Sequence, residues 1–175
     1  MKVGDTNMRL IIHDLSTAQC EAAGINQLCE QQNIIVNGNG NNHYCIGCFG
    51  CWLKTPGRCV IKDEYQEMGE KLSKADELLI ISKATFGSYS SAVKNVLDRS
   101  ISYVSPYFEI RKGEMHHKER YHKNLKISAF FYGEDITEKE KETSVNLVVA
   151  NAVNLNGEVG YVDFADSFEK VKEVL

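Results

Sequence analysis

Short apolar runs recur along this chain, each followed by a segment of helical periodicity, and that alternation most limits the folds open to it. The runs are RLIIHD from Arg9, NIIV from Asn33, ELLIIS from Glu77, KISAFFY from Lys126 and a last one from Glu158 to Val162. Each is too short for a stable helix and is bounded by polar residues, which predicts strands buried on both faces of a parallel sheet. The segments between them predict helices. Ser16 and Gln19 have capping-box spacing, and Ala18, Ala22, Ile25, Cys29 and Gln32 trace one face. Asp63 is placed to cap a helix carrying Tyr65, Met68, Leu72 and Ala75. Ala92, Val93, Val96 and Leu97 line another helix, whose Lys94, Asp98 and Arg99 are expected on its solvated side. Thr137 and Glu140 form a second capping box ahead of an expected buried stripe of Val145, Val148, Val149 and Ala152.

Apolar strands alternating with amphipathic helices specify an α/β chain. Five strands suit a doubly wound, flavodoxin-like three-layer sandwich with a five-stranded parallel sheet, and 175 residues fit one such domain over 1–175. The 20 basic residues are scattered among 24 acidic ones for a net charge of −4, so no patch for nucleic acid is expected. No apolar run approaches the ~20 residues that span a bilayer, and the leader MKVGDTN lacks the apolar core of a signal peptide. No membrane association and a cytoplasmic location are the expectation.

Two stretches interrupt the alternation. The first, CIGCFGCWLKTPGRC, brings four of the six cysteines, Cys45, Cys48, Cys51 and Cys59, into one loop. Gly47 and Gly50 each precede a cysteine, where tight turns aim amides at sulfur, and Pro56 and Gly57 supply the turn that returns Cys59. Three closely spaced cysteines plus a fourth suit an iron-sulfur cluster. Zinc prefers two separated pairs, and reduced, unmetallated thiols are the plain alternative. A disulfide framework is the least attractive in a chain large enough to build its own core. The second stretch, Ile101 to Asn124, is long for a loop and rich in Tyr103, Tyr107, Phe108 and Tyr121, with His116, His117 and His122 at spacings that match no helical ligand pair.

Ligands of doubly wound sheets sit at the carboxyl ends of the strands where strand order reverses, here the loops after the first and third strands. The third-strand loop and helix, KATFGSYSSAVKNVLDRS from Lys83, resemble the flavin-ring loop of NAD(P)H-dependent FMN reductases. Together with CIGCFGC, PGRC and IKD, they resemble the iron-sulfur flavoprotein branch of that family. The resemblance implies an FMN-dependent oxidoreductase with Thr85, Phe86, Gly87, Ser88 and Tyr89 at one side of the flavin ring and Tyr132, Gly133 and Glu134 at the other. Phe86 or Tyr89 would supply an aromatic surface. It further implies NAD(P)H as transient electron donor, a 4Fe-4S cluster on the four cysteines, an unidentified electron acceptor, and a homo-oligomer joined through the aromatic insertion.

The first-strand loop, HDLSTAQ, departs from a phosphate-binding pattern. It has no glycine, only Ser16 and Thr17 as hydroxyl donors, and Asp14 as an opposing charge, so weak FMN binding is expected. A domain that has lost its flavin and serves as a binding or thiol-sensing module is the competing expectation.

Overall fold

A computed structural model describes residues 8–25, 27–28, 33–111 and 113–175. The leader MKVGDTN, Cys29 and Gln32 lie outside the described residues. β1 (Arg9–His13), β2 (Ile34–Asn37), β3 (Glu77–Lys83), β6 (Leu125–Tyr132) and β7 (Gly157–Ala165) form one sheet in the order β2-β1-β3-β6-β7, with every pair parallel. The expected sheet is present, and its order reverses between β1 and β3.

The period of two along each strand divides the core into halves. Leu10, Ile12, Leu78, Ile80, Ile127, Ala129 and Phe131 face α3 (Met68–Lys74), α4 (Ser91–Arg99) and α5 (Glu138–Asn154) through Met68, Leu72, Val93, Val96, Val148 and Ala152. Ile11, Leu79, Ile81 and Phe130 face α1 (Thr17–Ala23) and the 3-10 turn Phe168–Glu173 through Cys20, Ala23 and Val171, with Leu15 of the intervening loop in the same cluster. Each large aliphatic side chain buried this way contributes roughly 1.5–3 kcal/mol. Ser16 and Gln19, and likewise Thr137 and Glu140, complete reciprocal capping boxes.

Five expectations change. Ala18 and Ala22 of α1 are exposed, and Cys20 and Ala23 form its buried face. The insertion is no loop: β4 (Val104–Arg111) and β5 (Glu114–Glu119) pair as an antiparallel hairpin outside the main sheet. The stripe of α5 is turned, so that Ser144, Val148 and Ala152 are buried while Val145 and Val149 are exposed. Asp63 caps no helix, because its carboxylate is taken by Arg99 and α3 begins only at Met68. Arg99 is not on a solvated face; it is 1% exposed.

His13 closes β1 inside the second half of the core, 2% exposed, with Nδ1 accepting the Leu15 N–H at 3.2 Å. Burial pushes its pKa down to about 4, against a smaller opposing pull from Asp14. The unfolded chain binds this proton near pH 6.5 and the folded chain only near 4. Stability is therefore full above the upper value and declines as pH falls toward the lower one, by at most about 3 kcal/mol. Urea midpoints measured across pH 4 to 7 are expected to fall less steeply in His13→Gln than in the wild type; parallel slopes would contradict this.

Candidate functional site

The cysteine loop joins β2 to α3, and α2 (Gly50–Leu53) is its only helical turn among the described residues. Cys45, Cys48, Cys51 and Cys59 all line one cavity of about 320 Å3, walled by Ile46, Phe49, Trp52, Ile61 and Ile101. Gly47 takes φ +63°, the left-handed turn expected before a cysteine. Burial, and then the nearby charges of Cys59, Cys45 and Cys48, push the Cys51 thiol up, so four bare thiolates would repel one another. A cationic cluster core would reverse that balance. Among the described residues no three His, Cys, Asp or Glu side chains gather as a single metal ion requires.

Sequence reasoning missed the side chain that ties this loop down. Arg99 ends α4, and its guanidinium donates to both carboxylate oxygens of Asp63, at 2.7 and 2.8 Å, to the His43 carbonyl at 2.6 Å and to the Ile61 carbonyl at 3.3 Å. It lies over the Tyr65 ring, 5.9 Å from the centroid, and Tyr65 is itself fixed by donation to the Asn37 carbonyl. One buried cation thus joins both ends of the cysteine loop. The signal was available: Val93, Val96 and Arg99 are spaced by three and share the buried row of α4.

At the opposite end of α4, roughly 14 Å away at 1.5 Å per residue, is the loop after β3. Thr85 and Ser88 exchange backbone hydrogen bonds at 2.9 Å across Phe86 and Gly87, whose φ values are +51° and +73°. This is a two-residue turn of the type that needs left-handed residues. A Cβ at Gly87 would lie 2.8 Å from Thr143 on α5, so this glycine is required. Phe86 is strained and 91% exposed, a combination that points to a contact surface. Phe49 in the cysteine loop and Asp135 after β6 are also left-handed non-glycines, so three of the four such residues among those described sit in the candidate loops.

Tyr89 is placed otherwise than the resemblance implied. It is 5% exposed, stacks on Phe131 at 5.4 Å, accepts a hydrogen bond from Asn151, and burial pushes its hydroxyl up to about 12. It is a core ring and offers no outer surface. Tyr132 is also buried and donates to Asp14 at 2.8 Å; burial first, and then Asp14, push its hydroxyl up. Gly133 and Glu134 line a recess with Lys83, Ala84, Tyr132 and Asp166.

The first loop is closed on itself. The Ser16 N–H goes to the Gln19 side chain and the Gln19 N–H to Ser16 Oγ. The Leu15 N–H goes to His13, and Asp14 accepts from both the Lys83 N–H and the Tyr132 hydroxyl. Thr17 lies apart, in a groove with His13, Cys20 and Lys71. At the loop after β3, the exposed Phe86 ring stands as a flat apolar surface beside the Thr85 to Ser88 turn. The first loop fits a phosphate poorly, because the Leu15, Ser16 and Gln19 amides are engaged within it and the Asp14 carboxylate sits among them.

The model of the family described as NADPH-dependent FMN reductase matches residues 18–119. This chain belongs to that family. A 56-residue segment is 39% identical to an iron-sulfur flavoprotein of Methanocaldococcus jannaschii and another alignment of the same length is 41% identical to an iron-sulfur flavoprotein of Archaeoglobus fulgidus. Each match covers 32% of this chain, and only 28% and 26% of those relatives. Among solved structures, the NAD(P)H:quinone oxidoreductase of Methanothermobacter marburgensis superposes with a TM-score of 0.54 at 11% identity, over 95% of this chain and 93% of that one. A flavone reductase gives the same score and identity, over 96% of this chain and 56% of its own. At such identity these likenesses establish the fold of this family member alone. No helix among its described residues is long and apolar enough to cross a membrane.

Proposed function

We propose that this chain is a flavin-dependent oxidoreductase that draws on NAD(P)H and passes electrons onward, with Cys45, Cys48, Cys51 and Cys59 holding an iron-sulfur cluster. The observation that carries the reading is that all four cysteines line one largely apolar cavity in a chain of this family. FMN, if held at the Thr85 to Ser88 turn, would supply hydride chemistry, and a cluster, if held by the four cysteines, would supply single-electron chemistry.

The chain's own residues supply the positioning. The Thr85 to Ser88 turn presents backbone and the exposed Phe86 ring to one side of the flavin, and Gly133 and Glu134 border the other. Gly87 holds that turn against α5. Cys59 is buried and Cys51 half-buried, while Cys45 and Cys48 are exposed beside Ile46 and Phe49, so the sulfur set has an inner and an outer side. The competing reading, a domain that has lost flavin and senses thiol state, draws support from the closed first loop.

Titration of FMN and riboflavin into the wild type separates the two. Charge-assisted hydrogen bonds are worth about 1.5–3 kcal/mol each, so lacking two weakens phosphate recognition roughly a hundredfold or more. FMN and riboflavin are therefore expected to bind within about tenfold of each other, and Asp14→Asn to favour FMN. Binding of neither would remove the flavin reading.

A second copy of the chain is the proposed cover for the hairpin. Phe49, Trp52, His117 and Phe108 form a continuous row of mutually tilted rings from the cysteine loop to the hairpin, at centroid spacings of 5.6, 4.7 and 4.5 Å. Tyr107, Ile110, Met115 and Leu53 around it are exposed, and such a patch favours burial against a partner. Sedimentation is expected to give a dimer or larger species, weakened by Ile110→Asp; a monomer at micromolar concentration contradicts this.

A further inference from the structure

The cysteine cavity has an electrostatic feature that ligand spacing does not require. Among the described residues lining it, Arg99 is the one cation, and its side chain has no exposure to solvent. Asp98 also lines the cavity, but its carboxylate is held by Lys94 at 2.6 Å on the exposed side of α4. The partner of Arg99, Asp63, does not line the cavity. The guanidinium of this ion pair is thus part of the cavity wall and its carboxylate is not.

Arg99 also has unused capacity. Its terminal nitrogens are engaged by Asp63, His43 and Ile61, whereas Nε is buried without a hydrogen-bond partner. A buried, unpaired donor on a charged group costs free energy, and this one belongs to a residue of the cavity wall. A guanidinium stays protonated in proteins, so Arg99 brings a fixed positive charge to the cavity wall. A cluster held by four thiolates is anionic, and each electron taken up adds a further negative charge. Net charge and hydrogen bonds to sulfur are two determinants of its potential.

We propose that Arg99 is the counter-charge of the cysteine cavity: a positioning residue that fixes both ends of the loop, offers Nε–H to the sulfur set and raises the reduction potential of the bound cluster. This inference rests on the cluster reading above and adds to it a residue outside the ligand set. It also assigns Asp63 a role, since Asp63 orients the guanidinium and is itself outside the cavity wall.

The test compares wild type, Arg99→Lys and the double variant Asp63→Asn, Arg99→Gln, each reconstituted anaerobically with iron and sulfide. Iron per chain and the midpoint potential, from a redox titration followed by absorbance and paramagnetic resonance, are the readouts. The double variant leaves no unpaired buried charge, so it preserves the fold better than removal of Arg99 alone. It is expected to bind iron and to shift the ratio of reduced to oxidised cluster at least tenfold toward oxidised, about 59 mV for one electron. Arg99→Lys keeps a charge but loses the fork and Nε–H, and is expected to shift the ratio at least threefold in the same direction. If the double variant does not fold, Arg99→Lys decides. Either variant, folded and loaded, within twofold of the wild-type ratio would overturn the inference while leaving the cluster in place. A wild type that takes up no iron would remove the cluster reading itself, and the inference with it.

Discussion

Exchange of any one of Cys45, Cys48, Cys51 or Cys59 for Ser is expected to remove most of the iron from anaerobically prepared protein, while Cys20→Ser leaves it unchanged. The four thiols share one cavity, so each removal opens a coordination position that the rest of the loop has no sulfur to fill. A serine hydroxyl is a hard ligand that stays protonated near neutral pH and replaces a soft thiolate poorly. Cys20 is the control because it belongs to the other half of the core, packed with Leu15 and Ala23 and donating to the Leu15 carbonyl. Iron analysis alongside the far-ultraviolet spectrum checks that loss of metal is not loss of fold. Unchanged iron in any of the four variants would break the single ligand set.

Asp63→Ala is expected to have the largest effect on stability of any single change in the cysteine loop. It leaves a guanidinium with no solvent exposure facing two carbonyls and no carboxylate, and breaking a buried pair in this way costs about 3–5 kcal/mol. Asp63 also accepts the His43 N–H at 3.1 Å and the Tyr65 N–H at 3.0 Å, so the chain on both sides of the cysteines loses an anchor. Burial raises its pKa, but Arg99 and these two amides outweigh that and hold the carboxyl below its usual range. The pair's contribution is thus present near neutral pH and lost as pH falls through that lowered value. Urea unfolding of Asp63→Ala is expected to show the loss as a lower midpoint. Asp63→Asn, Arg99→Gln is expected to lie closer to wild type, because no lone charge remains buried. Equal midpoints for Asp63→Ala and wild type would contradict the account.

The sheet was legible because its strands obey a local rule: a run such as ELLIIS is apolar on both faces only if both faces are covered. The hairpin was not legible because Tyr107, Phe108 and Ile110 are exposed on it, so burial imposes no pattern on that segment. Arg99 was misplaced by chemistry. A charge at the end of a helix is ordinarily solvated, and only the distant Asp63 makes its burial tolerable. The four cysteines stood out because ligand spacing is a property of sequence. The state of the first loop did not, since whether Ser16 and Gln19 offer their amides to a ligand or to each other is decided by the capping box, which serves both a free helix and a closed one. Tyr89 illustrates the limit of likeness: its position in the ring loop is retained, while its ring is turned into the core against Phe131.

The proposed function places a cluster in the cysteine cavity and a flavin-ring loop at the far end of α4. The most direct measurement is iron and acid-labile sulfide per chain, with the visible spectrum, on wild-type protein reconstituted anaerobically. The account predicts about four of each per chain and a broad absorbance that bleaches on reduction. Four freely titratable thiols with neither iron nor sulfide would contradict it.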